Sequence, residues 1–409
     1  MHLRSVHPGL VVALACAAHG ACRGGEDVAA APHGGAAPLL LTADGAHVAR
    51  VRDSLRAGEP EFAPALEELE ERADEALTLA PMSVVDKPVT PPSGDKHDYM
   101  SQAPYYWPDP SKPDGLPYVP RDGRRNPEVD RIPDRENLAR LARAAFTLGL
   151  AYHFTGAEPY AEQAARLVRV WFLDAPTRMN PDLEFAQGIP GVVEGRSAGI
   201  VESRFLPTIL DGVTLLRGSP AWSDADDQAL AAWMRAFLEW LATSDRAREQ
   251  AARGNNQETW WELQLVALAL HTGQEDRART TLEAARDEIP RQFLPDGRQP
   301  HELARTRSWD YSIFNLTPYL HLARLGERVG VDLWSFRTPE GRSLQQGVDY
   351  LVPFATGERD WPHEQITEFE PSALHPVLRW AALGWDEPRY RALAEEIRGG
   401  TPLLDLTVP

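Results

Sequence analysis

A tyrosine preceded by two arginines is the residue group in this sequence best suited to proton transfer. Arg305 and Arg307 come shortly before Tyr311, in a stretch that leads into a predicted helix. A nearby cation favours the tyrosinate, so we expect the pKa of the Tyr311 phenol to move down from about 10 toward the working pH. Such a phenol can act as a general base and acid. The alternative is two surface arginines beside a core tyrosine.

A second polar group stands where another helix is predicted to begin. Asn255 or Asn256 could cap this helix, but a cap needs only one of them. The other asparagine and Gln257 would present amide donors at a helix start, a place that favours the binding of a carboxylate. Trp260 and Trp261 follow at adjacent positions. Only one of them, for which we choose Trp260, is expected to contact a ligand.

Aromatic residues are concentrated in a proline-rich segment earlier in the chain. Tyr105, Tyr106 and Trp107 are consecutive, and His97 lies a short distance before them. Flat aromatic faces stack on sugar rings, and His97 could hydrogen-bond sugar hydroxyls, so the segment predicts carbohydrate binding. Any one of these aromatic side chains could instead pack onto the core.

Composition and charge restrict the classes of function. The 409 residues carry a formal net charge of −18, which argues against nucleic-acid binding because that requires a basic face. An anionic ligand would require arginines concentrated in one cleft. Both cysteines, Cys16 and Cys22, precede the predicted folded body, which excludes thiol and disulfide chemistry there. The histidines form no close ligand pair, so we predict no metal and no other cofactor.

The amino-terminal region has the pattern of an export signal. Residues 1–22 combine a short basic start with an apolar run too short to span a bilayer, and 23–38 resemble a flexible spacer. We predict export to the periplasm or the extracellular space, with lipid attachment at Cys22 as an alternative to plain cleavage. No later segment is long and apolar enough for a membrane span, so 39–409 is predicted to be one soluble domain of unknown oligomeric state.

The elements that must position these residues are predicted to be helices. Residues 81–133 are an exception, because their many prolines forbid a long helix and indicate an ordered loop or lid. Two opening helices are expected within 46–79, and further helices at 137–154, 159–173, 199–216, 223–242, 257–271, 276–293, 311–329, 341–354, 372–383 and 388–397. The predicted fold is all-α, an incomplete α/α toroid of helix hairpins whose inner loops line a cleft.

Several motifs, in order and spacing, resemble those of the alginate lyase family of exported polysaccharide lyases, which have an α/α toroid. They cover about 95–316 of the chain. The motifs are H-D-Y-M-S-Q-A-P-Y-Y-W-P-D-P from His97, R-M-N-P from Arg178, G-I-P-G-V-x-E-G-R from Gly188, N-N-Q-E-T-W from Asn255 and E-L-A-R-T-R-S-W-D-Y-S-x-F-N-L from Glu302.

The resemblance implies which residues form the active site. Family members use the asparagine and histidine of an N-N-H motif and a downstream tyrosine, often with a preceding arginine. These positions correspond to Asn256, Tyr311 and Arg305 here, whereas Gln257 replaces the histidine. We expect the two amides, with Arg305, to hold a uronate carboxylate while Tyr311 takes the C5 proton and returns a proton to the leaving O4.

The glutamine leads to a prediction about the substrate. An amide cannot act as a base, so Tyr311 alone should serve both proton transfers, which suits sugars whose C5 proton and O4 lie on one face. We therefore predict syn β-elimination in a mannuronate- or glucuronate-containing polymer such as polymannuronate or glucuronan, rather than polyguluronate, unless His97 or His301 supplies a second base. Arg196, Arg307 and His301 are also expected to bind substrate, and an ion pair of Arg196 with Glu194 or Glu202 is the alternative for that arginine.

Two other functions are weighed against a lyase. A glycoside hydrolase on the same fold would use a carboxylate pair, for which Glu258, Glu262, Glu302 and Asp310 are candidates without diagnostic spacing. A glycan-binding protein that lost catalysis together with the histidine is the second alternative. The retained tyrosine and arginine favour the lyase.

Overall fold

The computed structural model describes residues 37–398 and 402–409. The predicted signal, 1–22, and nearly all of the predicted spacer, 23–38, lie outside these residues, so both remain predictions. Within the described residues, no helix has the length and apolar character needed to cross a membrane.

The described chain is built mainly from α-helices. The helices are α1 (Gly45–Arg56), α2 (Ala63–Leu77), α3 (Asp134–Thr155), α4 (Glu158–Phe172), α5 (Leu206–Leu215), α6 (Asp224–Thr243), α7 (Asp245–Gln250), α8 (Asn256–His271), α9 (Glu275–Gln292), α10 (Pro300–Leu303), α11 (Ser308–Gly326), α12 (Leu344–Ala355), α13 (His375–Trp385) and α14 (Pro388–Glu396). The all-α prediction is confirmed, and each predicted helical stretch contains at least one helix.

The helices form two layers around one core. Helices α3, α5, α8, α11 and α13 contact one another in series, and α4, α9 and α14 pack against them as partners in short-loop hairpins. Buried residues occur on all sides of α8 and α11, as expected for inner helices. By contrast, α9 is strongly charged and buries one stripe.

Glycines allow the inner helices α3 and α5 to approach closely. A Cβ atom on Gly149 would lie 2.5 Å from the carbonyl oxygen of Gly212, and one on Gly212 would lie 2.5 Å from the carbonyl oxygen of Ala145. Neither distance is sterically possible, so a side chain at either position would push the two helices apart.

The predicted helix at 199–216 is divided in two. Its first part is a 3-10 helix, Ser197–Phe205, and α5 begins only at Leu206, with Pro207 in its first turn. A Cβ atom on Gly199 would lie 2.4 Å from that of Ala186, so the 3-10 segment packs tightly against a neighbouring strand. Helices α7 and α10 were not predicted, because each is too short to show helical periodicity.

The proline-rich segment 81–133 is ordered by short pieces of structure. It contains the 3-10 helices Val84–Asp86 and Pro127–Arg131 and the strands β1 (Met100–Gln102), β2 (Tyr106–Trp107) and β3 (Val119–Pro120). Strand β1 pairs in parallel with β4 (Phe185–Gly188), whereas β2 and β3 form an antiparallel pair. These strands have two to four residues and give no sequence periodicity, yet they fix the lid segment against the helices.

Several inner elements present residues near their amino-terminal ends to the same cavity. Arg135 is the second residue of α3, Asn256 the first of α8 and Tyr311 the fourth of α11. Arg204 lies in the 3-10 turn that leads into α5. The amino-terminal end of a helix carries a partial positive charge, so this arrangement favours an anionic ligand.

Candidate active site

A cavity of about 510 Å³ lies where these helix starts meet the lid segment. The lid supplies Tyr105, Tyr106 and Asp122, and the helix starts supply Asn256, Gln257 and Tyr311. The five arginines in its lining are Arg135, Arg196, Arg204, Arg305 and Arg307. The cavity is therefore strongly basic even though the chain as a whole is acidic, which meets the condition that an anionic substrate imposes.

Arg305 connects the lid to the tyrosine. Its Nε and Nη2 atoms donate to the carboxylate of Asp122, the latter at 2.6 Å, and Asp122 also accepts hydrogen bonds from Thr306. The guanidinium carbon of Arg305 lies 3.8 Å from the centre of the Tyr311 ring. One arginine thus stacks on the phenol while its hydrogen-bonding edge is held by a carboxylate of the lid.

The predicted downward shift of the Tyr311 pKa was wrong. Burial raises the pKa of this phenol above its usual range, and Tyr105, whose hydroxyl lies 3.0 Å from that of Tyr311, raises it further. Arg305 lowers the pKa, as expected, but does not overcome the cost of burying a phenolate. In the free cavity Tyr311 is therefore a neutral phenol at neutral pH.

The two amides at the start of α8 occupy different environments. Asn256 is buried, and both its backbone N–H and its side-chain Nδ2 donate to Glu302, at 2.8 and 2.6 Å. Gln257 lines the cavity, and its Oε1 has no hydrogen-bond partner among the described residues. Glu302 therefore fixes Asn256, while Gln257 has hydrogen-bonding capacity to spare. The helix cap itself is Asn255, whose side chain accepts from the Gln257 N–H.

Arg196 and Arg204 are cavity arginines without an ion-pair partner in the described part of the chain. Arg196 Nη2 donates to Gln187 Oε1 at 2.7 Å, and its guanidinium lies 5.1 Å from the Tyr106 ring centre. Arg204 lies against Phe205 and donates to a backbone carbonyl. The alternative ion pair of Arg196 with Glu194 or Glu202 is not formed. Arg307, by contrast, is paired with Asp310 at 2.7 Å.

Four of the predicted substrate-binding residues do not line the cavity. His97 lies against the backbone of Arg178, with Nδ1 2.6 Å from its carbonyl oxygen. Trp107 donates to the Arg124 carbonyl, and Trp260 packs behind Phe314, donating to its carbonyl oxygen. His301 is exposed on α10. Hydrogen bonds to backbone carbonyls direct His97, Trp107 and Trp260 away from the cavity, so sugar contact by any of the four residues stays a prediction.

Other cavity residues were missed. Arg135 and Arg204 carried no signal in the sequence beyond being arginines in helical patterns, and Asp122 was one acidic residue of many. Gln187 adopts a left-handed backbone conformation with φ of 53°, which is unusual for a residue other than glycine. Only the arrangement of the chain in space identifies these four as neighbours of Tyr311.

The carboxylates proposed for a hydrolase are mostly outside the cavity. Glu258 accepts from the Gly254 N–H, Glu262 is buried, and Glu302 is occupied by Asn256. Asp310 lines the cavity but is paired with Arg307. The described lining therefore offers no free pair of carboxylates for acid and base roles. Among the described residues, no group of three or more His, Cys, Asp or Glu side chains is arranged to hold a metal ion.

Comparison with known proteins agrees with the fold and the cavity. The alginate lyase family model matches residues 83–361. The chain is 38% identical to a crystal structure of an alginate lyase from Bacteroides ovatus, with a TM-score of 0.86 and coverage of 90% of this chain and 99% of that one. A search of curated proteins gives no match.

Two more distant structures share the fold. Alginate lyase A1-III from Sphingomonas species A1 is 15% identical, with a TM-score of 0.56 and coverage of 91% of this chain and 98% of that one. A histidine-to-alanine variant of alginate lyase A1-III complexed with a tetrasaccharide is also 15% identical, with a TM-score of 0.54 and coverage of 87% and 91%.

The protein has an α/α toroid, and arginines line a cavity where its inner helices begin. Together with the matches above, these features identify it as a polysaccharide lyase. The chain belongs to the alginate lyase family. The predicted resemblance and the predicted α/α toroid are both confirmed.

Proposed function

We propose that the protein cleaves an alginate-like polyuronate by syn β-elimination, with Tyr311 transferring the protons. The observation that carries this proposal is the position of the Tyr311 hydroxyl. It belongs to a cavity lined by five arginines and three amide side chains, and the Tyr311 ring lies beneath the guanidinium of Arg305. The positive charge suits a chain of carboxylates, and the guanidinium 3.8 Å from the Tyr311 ring favours the phenolate that proton transfer requires.

The first task of the site is to neutralise the uronate carboxylate, because the C5 proton is too weakly acidic while that negative charge remains. The side-chain N–H of Gln257 and the guanidinium of Arg196 are proposed to donate to the carboxylate, since Arg196 has no carboxylate of the protein as partner and Gln257 lines the cavity. Asn256 is the third group proposed to bind the carboxylate, and Glu302 holds it in place. Preformed donors of this kind stabilise the enolate-like charge that develops as the proton leaves.

Arg305 is proposed to act on the tyrosine rather than directly on the substrate. Its Nε and Nη2 are occupied by Asp122, and its face covers the Tyr311 ring. The cation favours the phenolate and so opposes the effect of burial on the pKa of Tyr311. Tyr311 would remove the C5 proton and donate it to O4 as the glycosidic bond breaks, leaving an unsaturated uronate on the product.

A single tyrosine serves both transfers only if the C5 proton and O4 lie on the same face of the sugar. Gln257 has no accessible pKa, and His97 and His301, the histidines considered as a second base, do not line the cavity. We therefore propose mannuronate- or glucuronate-type polymers as preferred substrates over polyguluronate. Export through the predicted signal at 1–22, to the periplasm or beyond, would bring the enzyme to such polymers.

The test is to incubate the purified mature protein separately with polymannuronate, polyguluronate, glucuronan and hyaluronan. The ultraviolet absorbance of the unsaturated uronate reports elimination, and a reducing-sugar assay detects any cleavage. We expect absorbance to rise with polymannuronate or glucuronan and to rise far less with polyguluronate. Reducing ends without absorbance would indicate hydrolysis and contradict the proposal, as would rapid cleavage of polyguluronate alone.

A further inference from the structure

Glu202 is a carboxylate that lies completely buried beneath the arginine-lined cavity. Its side chain is 0% exposed, in the 3-10 helix that also carries Arg204. Oε2 accepts hydrogen bonds from the hydroxyl groups of Tyr99 at 2.8 Å and Ser101 at 2.6 Å. Oε1 lies 3.7 Å from Nε of Arg135, a cavity residue. Burial of a carboxylate is costly, so its surroundings must compensate the charge.

A hydrogen-bonded path leads from Glu202 to a second cavity arginine. The Ser101 oxygen that donates to Glu202 accepts the backbone N–H of Gln187 at 2.8 Å. The side chain of Gln187 in turn accepts from Arg196 at 2.7 Å. Gln187 has a left-handed backbone, which persists only where the surroundings hold it. Ser101 and Arg196 hold it from opposite ends.

Glu202 also interacts electrostatically with two cavity arginines, Arg196 and Arg204. Burial lowers the pKa of Arg196 and of Arg204, and the attraction of Glu202 opposes this change for both. The arginines also repel one another, because several share one small cavity. A fixed negative charge behind them reduces that repulsion without occupying the face that meets the ligand, since Glu202 itself does not line the cavity.

We propose that Glu202 is a positioning residue for the cavity arginines, attracting Arg135 across 3.7 Å and holding Arg196 through Ser101 and Gln187. This inference rests on the proposed polyuronate lyase function. Glu202 does not line the cavity to which Tyr311 belongs, so its effect should fall on substrate binding rather than on the chemical step.

Removing the negative charge of Glu202 would have two opposing effects on substrate binding. Without Glu202 the cavity would be more positive, which by itself would attract a polyanion more strongly. The arginines would also lose the contacts that orient them, and a guanidinium binds a carboxylate well only in a defined geometry. Removing Glu202 changes the charge by one unit in a cavity that already holds five arginines, whereas the arginines it orients lose their geometry, so we expect the loss of orientation to be the larger effect.

The experiment compares Glu202→Gln with the wild-type enzyme on the polymer that the wild type cleaves best. Asp211→Asn is the matched control, because Asp211 is also 0% exposed and accepts hydrogen bonds from Leu41 and Thr42, but does not line the cavity. We expect Glu202→Gln to raise KM about tenfold with kcat changed by less than about threefold. Asp211→Asn should leave KM unchanged even if its thermal unfolding temperature falls.

Ser101→Ala provides a milder test should Glu202→Gln fail to fold. It removes the hydroxyl that joins Glu202 to Gln187 without changing any charge, and it should raise KM about threefold. An unchanged or lower KM in a folded Glu202→Gln or Ser101→Ala enzyme would overturn the proposal. So would an equal effect of Asp211→Asn on KM. A wild-type enzyme inactive on every polyuronate would instead refute the underlying function.

Discussion

The guanidinium carbon of Arg305 lies 3.8 Å from the centre of the Tyr311 ring, and the nitrogens at its edge are hydrogen-bonded to Asp122. The arginine is thus held by the lid while it covers the phenol. In this arrangement Arg305 lowers the pKa of Tyr311, and the proposed function leaves contacts with the substrate to other arginines and to Gln257.

Tyr311→Phe should reduce kcat by about 10²–10⁴-fold, the usual contribution of a general acid–base group. The change removes only the hydroxyl and leaves the ring beneath Arg305 in place. The rate at which the unsaturated uronate appears at saturating substrate measures kcat. Tyr350→Phe is the control, because this hydroxyl is also hydrogen-bonded, to His363 at 2.8 Å, but does not line the cavity. A Tyr311→Phe enzyme that keeps more than about a tenth of the activity would exclude Tyr311 as the proton-transferring residue.

The dependence of kcat/KM on pH should follow the pKa of Tyr311. Burial and Tyr105 raise this pKa, and Asp122 adds to the increase. The phenolate therefore forms only at alkaline pH, so we expect kcat/KM to rise with pH above neutrality. Asp122→Asn removes a negative charge, which lowers the pKa of Tyr311 and should move this rise to lower pH by roughly half a unit or more.

The lid offers a control for this pH prediction. Asp109 is an exposed carboxylate of the same segment that accepts hydrogen bonds from Ser111, away from the cavity. Asp109→Asn should leave the pH profile unchanged. A profile of Asp122→Asn that coincides with the wild type, or shifts toward higher pH, would show that Asp122 does not control Tyr311.

Gln257→His should extend the substrate range. A histidine at this cavity position could accept a proton from the face of the sugar opposite Tyr311, which polyguluronate requires. We expect cleavage of polyguluronate to increase at least about tenfold relative to the wild type. Gln257→Asn, which supplies an amide but no base, should give no such gain. Equal rates for both variants on polyguluronate would mean that residue 257 does not determine this specificity.

Lys87→Met should destabilise the protein strongly. Lys87 is 0% exposed and forms an ion pair with buried Asp134 at 3.0 Å. Without its partner, Asp134 would be an uncompensated buried charge, at an expected cost of about 3–5 kcal/mol in the free energy of unfolding. Urea denaturation followed by circular dichroism measures this change. The surface ion pair of Arg125 with Asp130 is the comparison, and Arg125→Met should cost less than about 1 kcal/mol.

The sequence predicted the helices well because their evidence is local. Periodic apolar residues located all the long helices, and the residues around Tyr311 and Asn256 were recognised by their spacing. The start of α8 was predicted at 257, and the structure has it at Asn256. Tyr105, Tyr106, Arg196 and Arg307, which were predicted to bind substrate, line the cavity, and their binding role stays a prediction.

The remaining features depend on distant parts of the chain. The pKa of Tyr311 depends on how deeply the ring is buried and on Tyr105, neither of which sequence spacing reveals. His97 and Trp107 have side chains suited to sugar binding, but each hydrogen-bonds to a backbone carbonyl instead. Glu202 looked like a possible partner of Arg196, and only the folded chain reveals that Ser101 and Gln187 stand between them.

The hydrogen bonds between Arg305 and Asp122 join positions 183 residues apart. Most helices can form from contacts within a hairpin, but this contact requires the intervening chain to be in place, which slows its formation. Helical content would then recover early when the denatured enzyme refolds, and activity would recover late. Recovery of activity would thus indicate that the tertiary structure is complete, whereas recovery of the circular dichroism signal would indicate only that the helices have formed.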